Sequence, residues 1–140
     1  GGFYKHYAGD MTRTIAVQYA SPRLRQIYEI VLEAQQAALG KVKAGINCRD
    51  VDGAARDVLR KAELEQYFQH STGHGLGLEV HEYPSLSQRS NTVLAENMVV
   101  TVEPGVYIPG WGGIRIEDTV VVEARGCEII TRSEKGLIIV

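Results

Sequence analysis

The spacing of apolar residues predicts two amphipathic helices in the first half of the chain. Apolar positions recur every three or four residues over 22–43, and Ser21 followed by proline is a typical helix start, so we predict a first helix that ends at Gly45. A second apolar stripe over 51–62 predicts another helix, with Asp50 as its N-cap. Both helices need a partner surface for their apolar faces.

Strand patterns lie on both sides of these helices. Aromatic and β-branched residues between turn signals are typical of strands. The predicted strands cover residues 3–7, 11–19, 93–108, 114–123 and 127–131. Gly9 would permit a bulge between the first two of them, and the polar, turn-rich residues 83–92 predict a loop. The order of elements predicts a single α+β domain.

Composition and charge exclude several classes of partner. The chain has 140 residues, 44% of them hydrophobic, which is enough for one domain with a core. Its net charge is −2 without any block of like charge, and its apolar runs are far shorter than a membrane helix needs, so we expect neither nucleic acid nor membrane as partner. Cys48 and Cys127 are isolated and no signal peptide is visible, so we expect a cytoplasmic protein with reduced thiols.

Histidines and glycines cluster around residues 71–82, Ser-Thr-Gly-His-Gly-Leu-Gly-Leu-Glu-Val-His-Glu. A lone histidine is more often structural, but His74 has glycine on both sides, and His70 and His81 lie near it in sequence. Glycine lets the backbone approach a ligand or another strand closely, which suits a site better than a core. The zinc-protease motif His-Glu-x-x-His is absent because residue 85 is serine, and the dinucleotide-binding glycine pattern is incomplete.

Two carboxylates lie inside apolar, strand-like runs. Either Glu103 or Glu117 alone could face solvent, and Glu117 could pair with Arg115 for stability only. Together with Asp10 and His74, however, they form a set of oxygen and imidazole donors that suits Mn, Co, Fe or Zn. Several carboxylates facing one spot suggest two bridged cations, so the residues favour a dinuclear metal hydrolase.

Several sequence motifs resemble the pita-bread metallopeptidases, in particular their branch of Xaa-Pro dipeptidases (prolidases) and aminopeptidase P. The motifs are Gly73-His74-Gly75-Leu76-Gly77 with His81-Glu82, Thr-Val-Glu-Pro-Gly-Val-Tyr over 101–107, Gly-Ile-Arg-Ile-Glu-Asp over 113–118, and Gly-Asp-Met-Thr-Arg-Thr around Asp10. The resemblance spans nearly the whole chain. It implies an α+β, partial pita-bread (creatinase/aminopeptidase) fold, in which two helices pack on a curved, mainly antiparallel sheet.

The resemblance also implies roles for individual residues. The implied metal ligands are Asp10, His74, Glu103 and Glu117. The implied catalytic residues are His70, His81 and Glu103. Glu103 would handle the proton of the metal-bridging water, while His81 would contact the scissile carbonyl and stabilise the tetrahedral intermediate. His70 would belong to the pocket for the proline side of the substrate, and Arg115 and Tyr107 would lie in that pocket or beside the metals.

The implied reaction is hydrolysis of the bond between an N-terminal residue and a following proline, by a hydroxide activated on two divalent metal ions. Manganese or cobalt is implied first, with zinc or iron as alternatives. The substrate would be a peptide with proline at its second position, either a dipeptide or a longer chain. Homodimers are common in this family, so we also consider a homodimer.

Residues 1–140 would form the C-terminal portion of a pita-bread metallopeptidase catalytic domain that is truncated at its N-terminus. The chain begins without methionine and in a strand-like pattern. The family has a further metal-binding aspartate, which would lie just upstream of Gly1. We therefore expect the isolated fragment to bind metal weakly and to have little or no peptidase activity.

Two alternatives stay open at this point. A methionine aminopeptidase-like enzyme would share the fold and the metal ligands, although the surroundings of His70 and Arg115 look more like the proline branch. A non-catalytic pita-bread binding module would belong to a different functional class. The presence of all four implied ligands argues against such a module.

Overall fold

The computed structural model describes residues 1–140 as two helices, one 3-10 turn and nine short strands. Helix α1 is Pro22–Leu39, helix α2 is Cys48–Lys61, and the 3-10 turn is Glu65–Tyr67. The strands are β1 Gly2–Tyr4, β2 Tyr7–Gly9, β3 Gly73–Gly75, β4 Glu82–Leu86, β5 Val99–Val102, β6 Gly105–Ile108, β7 Gly112–Arg115, β8 Asp118–Glu123 and β9 Gly126–Ile129. The predicted α+β organisation is confirmed.

The first helix begins where the sequence predicts it and ends earlier. The Ser21 hydroxyl accepts a hydrogen bond from the Leu24 N–H at 3.2 Å, which is the predicted N-cap. The last helical residue is Leu39 rather than Lys43. Gly40 follows it, and because glycine has a low helix propensity, the remaining apolar spacing does not extend the helix.

The second helix begins before its predicted N-cap. The side chain of Asn47, not that of Asp50, caps α2 by accepting a hydrogen bond from the Arg49 N–H at 3.1 Å. Asp50 lies in the first helical turn, where a negative charge interacts favourably with the helix dipole. Asparagine and aspartate are both good N-caps, so residue type alone does not choose between the two positions.

The apolar faces of the two helices pack against each other and against the strands. The buried apolar residues are Ile27, Tyr28, Val31, Ala34 and Ala38 on α1, and Val51, Ala55 and Leu59 on α2. Helix α1 also contacts β5 and β7, and α2 contacts β4. Val100, Val102, Ile114 and Val120 complete this core from the strands. Burial of these side chains is the main force that holds the helices on the sheet.

Antiparallel pairing builds all of the sheets. The main sheet has the strand order β4-β3-β5-β8-β9, while β1 with β2 and β6 with β7 form separate hairpins. The predicted packing of two helices on a mainly antiparallel sheet is therefore confirmed. Edge strand β4 covers the first four residues of the segment 83–92, so the prediction of a loop is wrong over 83–86 and holds over 87–92. Pro84 lacks an N–H, but an edge strand leaves one side of its backbone unpaired.

The two long strands predicted in the second half of the chain are each interrupted once. β5 pairs with β8, and β6 pairs with β7. The two ladders keep the same residue register, but the residues between them are unpaired and leave a gap. Glu103 and Glu117 lie opposite each other in this gap, outside the strands. The prediction of continuous strands over 93–108 and 114–123 is therefore wrong at the two glutamates. It is also wrong over 93–98, because β5 begins only at Val99.

Backbone hydrogen bonds to other segments explain this gap. The Glu103 N–H donates to the Thr72 carbonyl at 2.7 Å, and the Glu117 N–H donates to the Thr12 carbonyl at 3.1 Å. Pro104, next to Glu103, has no N–H to continue the ladder. Each glutamate is thus fixed by a third segment of chain, which the local strand pattern does not reveal.

The N-terminal residues also differ from their predicted strands. Residues 3–7 form a hairpin rather than one strand, because Lys5-His6 has positive φ values of 48° and 71° and makes the turn between β1 and β2. Residues 11–19 make only isolated bridges, to Glu117 and to Ile139. Without a continuous partner strand, the β-like composition of this segment yields an extended connection.

Candidate metal centre

The four predicted ligand side chains come to one place from four different segments. Asp10 directly follows β2, and His74 is the middle residue of β3. Glu103 directly follows β5, and Glu117 directly precedes β8. Because β3, β5 and β8 are consecutive neighbours in the main sheet, residues far apart in sequence meet at this point.

Glycines on both sides of His74 allow β3 to lie very close to its neighbours. A Cβ atom at Gly73 would lie 1.8 Å from the Thr101 carbonyl oxygen, and one at Gly75 would lie 2.2 Å from the Tyr83 carbonyl oxygen. The interpretation of these glycines as positions of close backbone approach is confirmed. The His74 N–H also donates to the Thr101 hydroxyl at 3.0 Å, so the imidazole is presented from a tightly held strand.

The donor atoms of these side chains lie within a few ångströms of one another. Potential ligand atoms of Asp10, His74 and Glu117 all lie within 4.8 Å of each other. His74 Nε2 is 3.7 Å from Asp10 Oδ2 and 3.1 Å from Glu103 Oε1. His74 and Glu117 are buried, with 9% and 1% of their surfaces exposed, so this is an acidic cluster shielded from bulk water.

The hydrogen bonds of His74 fix the orientation of its ring. Nδ1 lies 3.0 Å from the Gly75 carbonyl oxygen, which can only accept, so Nδ1 carries a proton, and Nε2 faces the carboxylates. This arrangement is typical of metal-binding histidines. Burial lowers the pKa of His74, but hydrogen bonds with Glu103 and with the Gly75 carbonyl outweigh it and leave the pKa raised.

Glu117 is the least satisfied group of the cluster. Its Oε2 accepts a hydrogen bond from the Thr12 hydroxyl at 2.6 Å, whereas the buried Oε1 has no hydrogen-bond partner in the protein. Burial raises the pKa of Glu117, and the nearby carboxylates of Glu103 and Asp10 raise it further. An unpaired buried carboxylate oxygen is unfavourable, and a divalent cation would relieve it. The residues present therefore fit a metal centre.

The predicted substrate-side residues lie next to this cluster. His81 is exposed, and the centre of its ring is 4.2 Å from that of His74. His70 Nε2 is 3.0 Å from the Tyr107 hydroxyl, which in turn lies 3.3 Å from Arg115 Nη1. Arg115 makes no direct ion pair with Glu117, so the alternative of a purely stabilising Arg115–Glu117 pair does not hold.

A buried ion pair that the sequence analysis missed supports His70. Asp52 and Arg56, four residues apart on α2, form an ion pair of 2.7 Å. Arg56 donates to the carbonyl oxygens of Phe68 at 3.0 Å and His70 at 2.8 Å. Asp52 accepts hydrogen bonds from both the N–H and the hydroxyl of Thr72. The i, i+4 spacing was the available signal, although such pairs are most often exposed.

Two cavities border residues of the predicted site. One of about 390 Å³ lies next to His70 and is lined mainly by polar side chains, among them Arg56 and Arg89. The other, of about 420 Å³, lies on the Asp10 side and is lined in part by Leu76. Arg89 carried no signal in the sequence, because its relation to His70 arises only from the fold.

Comparisons with known proteins agree on one family. The model of metallopeptidase family M24 matches residues 1–124. The Xaa-Pro dipeptidase of Pyrococcus horikoshii is 49% identical over 138 residues, which are 99% of this chain and 39% of that protein. The solved structure of the Xaa-Pro dipeptidase from Bacillus anthracis has a TM-score of 0.96 at 54% identity, covering 98% of this chain and 39% of its own. The solved structure of the X-Pro aminopeptidase from Thermotoga maritima has a TM-score of 0.95 at 44% identity, covering 98% of this chain and 39% of its own.

The chain therefore belongs to metallopeptidase family M24. Xaa-Pro peptidases are among its structural relatives, and its fold is the partial pita-bread fold that the motifs predict. The chain spans about two fifths of the length of the relatives that it matches. Neither helix combines the length and the hydrophobicity that a membrane span requires.

Proposed function

We propose that the protein to which these residues belong is a metal-dependent peptidase that cleaves the bond between an N-terminal residue and a following proline. The observation that carries this proposal is the shielded cluster of Asp10, His74 and Glu117, in which a buried carboxylate oxygen lacks a partner. Glu103 joins the cluster through its contact with His74. The Xaa-Pro peptidases among the relatives support the choice of substrate.

We propose that the cluster holds two divalent cations, with manganese or cobalt preferred to zinc or iron. The proposed ligands are Asp10, His74, Glu103 and Glu117. Three carboxylates and one imidazole form a donor set that suits these ions better than a thiolate-preferring metal. When bound, such cations would supply Lewis acidity, which makes water acidic enough to yield hydroxide, the nucleophile for a peptide carbonyl, near neutral pH.

Glu103 is the proposed proton acceptor for the attacking water. Burial by itself would raise the pKa of Glu103, but hydrogen bonds from His74 and from the Thr101 hydroxyl outweigh this effect and lower it. Glu103 is therefore held as a carboxylate, which is the form that can take up a proton. Its position opposite Glu117 in the gap between the strand ladders places it at the cluster.

His81 and His70 are the proposed contacts to the substrate. The exposed ring of His81 lies against His74, where it can donate a hydrogen bond to a substrate carbonyl as negative charge develops on the oxygen. His70, with Tyr107 and Arg115 behind it, borders the polar cavity that Arg89 also lines. The positive charge there would suit the carboxylate of a short peptide, so we assign this cavity to the proline side.

The proposed activity belongs to the whole protein. We propose that residues 1–140 are the C-terminal portion of its catalytic domain and have little peptidase activity alone. The test therefore uses the full-length protein, assayed with Mn²⁺ on Xaa-Pro dipeptides, on longer peptides with proline at the second position, and on Met-Ala peptides. We expect cleavage before proline that is lost with a chelator, restored by Mn²⁺ and abolished in Glu103→Gln.

Other outcomes would select the alternatives. Preferential cleavage of Met-Ala peptides would replace the proposed specificity with that of a methionine aminopeptidase. Purified protein without stoichiometric transition metal, and without any response to added Mn²⁺, would indicate a non-catalytic binding module. Comparable turnover by residues 1–140 alone would contradict the proposed inactivity of the fragment.

A further inference from the structure

We propose that Thr12 is a positioning residue of the metal centre, because its hydroxyl holds the Glu117 carboxylate in one orientation and connects it to Arg115. This inference rests on the metal centre of the proposed function. Thr12 Oγ1 is 2.6 Å from Glu117 Oε2 and 3.0 Å from Arg115 Nε. The hydroxyl is thus the only side-chain group that hydrogen-bonds the Glu117 carboxylate.

The direction of these hydrogen bonds follows from the chemistry of the three groups. A guanidinium can only donate, so Thr12 accepts from Arg115. The single hydroxyl hydrogen then points to Glu117, which matches an ionised carboxylate. Arg115 is therefore held in place to polarise the hydroxyl, and the hydroxyl stabilises the form of Glu117 that binds a cation.

The same reasoning runs from Arg115 to His70. The Tyr107 hydroxyl accepts from Arg115 Nη1, which leaves its hydrogen for His70 Nε2. His70 Nδ1 lies 2.8 Å from the Ser71 carbonyl oxygen, which can only accept, so Nδ1 carries a proton and Nε2 is the nitrogen that faces Tyr107. Arg115 thus connects the proposed substrate side to Glu117, and Thr12 is the group through which that connection reaches the carboxylate.

Thr12 also determines which oxygen of Glu117 is free. Its hydroxyl occupies Oε2 and leaves Oε1 without a partner in the protein. Without the hydroxyl, both oxygens would be equivalent acceptors and the carboxylate could rotate. Partners that orient a ligating group in this way are typically worth about 10–100-fold in metal affinity.

The backbone contacts of Thr12 do not require its hydroxyl. The Glu117 N–H donates to the Thr12 carbonyl at 3.1 Å, and Arg13 Nη1 donates to the same oxygen at 2.9 Å. Valine has nearly the same shape as threonine, so Thr12→Val removes the hydroxyl and keeps the backbone bridge. The segment should therefore stay in place in this variant.

Thr14 offers a matched control on the same segment. It is half-buried like Thr12, and its hydroxyl is bonded to the backbone of Arg115, at 3.0 Å from the carbonyl oxygen and 3.2 Å from the nitrogen. Thr14→Val thus removes a hydroxyl that contacts the same arginine but no proposed ligand side chain. A general loosening of the segment would affect both variants, whereas a role in orienting Glu117 is specific to Thr12.

The experiment is a titration of the metal-free, full-length protein with Co²⁺, followed by visible absorption and calorimetry. We expect Thr12→Val to bind Co²⁺ about 10–100-fold more weakly than wild type. Thr12→Ser, which keeps the hydroxyl, and Thr14→Val should both bind like wild type. The unfolding midpoint in chelator identifies any variant that does not fold, and Thr12→Ala replaces Thr12→Val in that event.

Two results would overturn the role of Thr12. One is a Thr12→Val affinity equal to that of Thr14→Val, and the other is a Thr12→Ser affinity as weak as that of Thr12→Val. Wild-type protein that binds Co²⁺ but cleaves no Xaa-Pro peptide would overturn the proposed reaction and leave the test of Thr12 intact. Wild-type protein that binds no Co²⁺ would overturn both the metal centre and this inference.

Discussion

Glu117 and Asp118 are adjacent in the chain and equally buried, yet their surroundings are opposite. Asp118 is fully buried and contacts two cations, Arg13 at 2.7 Å and Lys135 at 2.5 Å, and it accepts a third hydrogen bond from Gln35 at 2.8 Å. Glu117 meets one hydroxyl, and its Oε1 has no partner in the protein. Successive residues point to opposite sides of an extended chain, which allows two such environments to lie side by side.

The pKa values of the two carboxyl groups follow these surroundings: that of Asp118 is lowered and that of Glu117 is raised. Burial would raise the pKa of Asp118, but hydrogen bonds from Lys135, Arg13 and Gln35 outweigh it and lower the pKa. Burial raises the pKa of Glu117, and the Thr12 hydrogen bond and the charge of Arg115 lower it too little to compensate. The protein neutralises the Asp118 carboxylate with its own side chains, whereas Glu117 is a proposed metal ligand. We take this difference as the distinction between a structural carboxylate and a proposed ligating one.

The largest expected effect is the loss of stability when Asp118, the structural carboxylate, is removed. Asp118→Ala would leave the nearly buried Arg13 and the partly exposed Lys135 without their common, buried partner, so we expect a loss of about 3–5 kcal/mol in the free energy of unfolding. Urea denaturation of the full-length protein in chelator measures it. Glu117→Gln is the matched control and should lose little or nothing. Equal destabilisation by both substitutions would remove the contrast between the two carboxylates.

The next largest effect is the stabilisation by metal that depends on Glu117, the proposed ligand. Added Mn²⁺ should stabilise the wild-type protein by about 2.7 kcal/mol at a concentration one hundred times the dissociation constant. Glu117→Gln replaces the carboxylate by a neutral amide, so most of this stabilisation should disappear. Thermal unfolding with and without Mn²⁺ gives both values. Undiminished stabilisation by Mn²⁺ in the variant would contradict a ligand role for Glu117.

The pH dependence of stability should separate the two groups further. A raised pKa in the folded state means that Glu117 binds its proton more tightly when folded, so chelated wild type should lose stability as pH rises from the ordinary glutamate range through the folded pKa. Glu117→Gln should lack this loss, which amounts to about 1.4 kcal/mol per unit of raised pKa.

Asp118 should act in the other direction. Its lowered pKa contributes stability above the ordinary aspartate range, and this stability is lost as pH falls through the folded pKa.

The difference in unfolding free energy between wild type and Glu117→Gln, measured across pH in chelator, isolates the Glu117 contribution. A difference that stays constant between acid and neutral pH would contradict the raised pKa.

The smallest expected effect is the loss of stability when one of the two basic partners of Asp118, Lys135, is removed. Lys135 is partly exposed, and Asp118 keeps its hydrogen bonds with Arg13 and Gln35 when the Lys135 ammonium is removed. Lys135→Met should therefore lower the free energy of unfolding by only about 1 kcal/mol. Metal affinity should stay at the wild-type value, because Lys135 contacts no proposed ligand. A marked change in Co²⁺ affinity for this variant would show that the two environments are coupled rather than separate.

Local sequence signals predicted what short stretches of chain determine. Apolar spacing with Ser21 as a cap predicted the start of α1, and the glycines around His74 predicted close backbone approach, because both depend on neighbouring residues. The motifs predict the four proposed ligands, and the structure brings their side chains together. Their roles in binding metal stay a prediction.

Long-range contacts account for what the sequence did not reveal. The interruption of the strands at Glu103 and Glu117 depends on hydrogen bonds to Thr72 and Thr12, which lie in other segments. The contrast with Asp118 likewise depends on residues that only the fold brings near it. No sequence pattern within a strand distinguishes a carboxylate that pairs with arginine or lysine side chains from one that does not.

The most direct test of the metal centre is a crystal structure of the full-length protein with Mn²⁺, with the metal located by its anomalous scattering. We predict manganese between Asp10, His74, Glu103 and Glu117, with the free Oε1 of Glu117 as one of its ligands. The absence of an anomalous peak at this cluster, with Glu117 Oε1 hydrogen-bonded to water instead, would contradict the account.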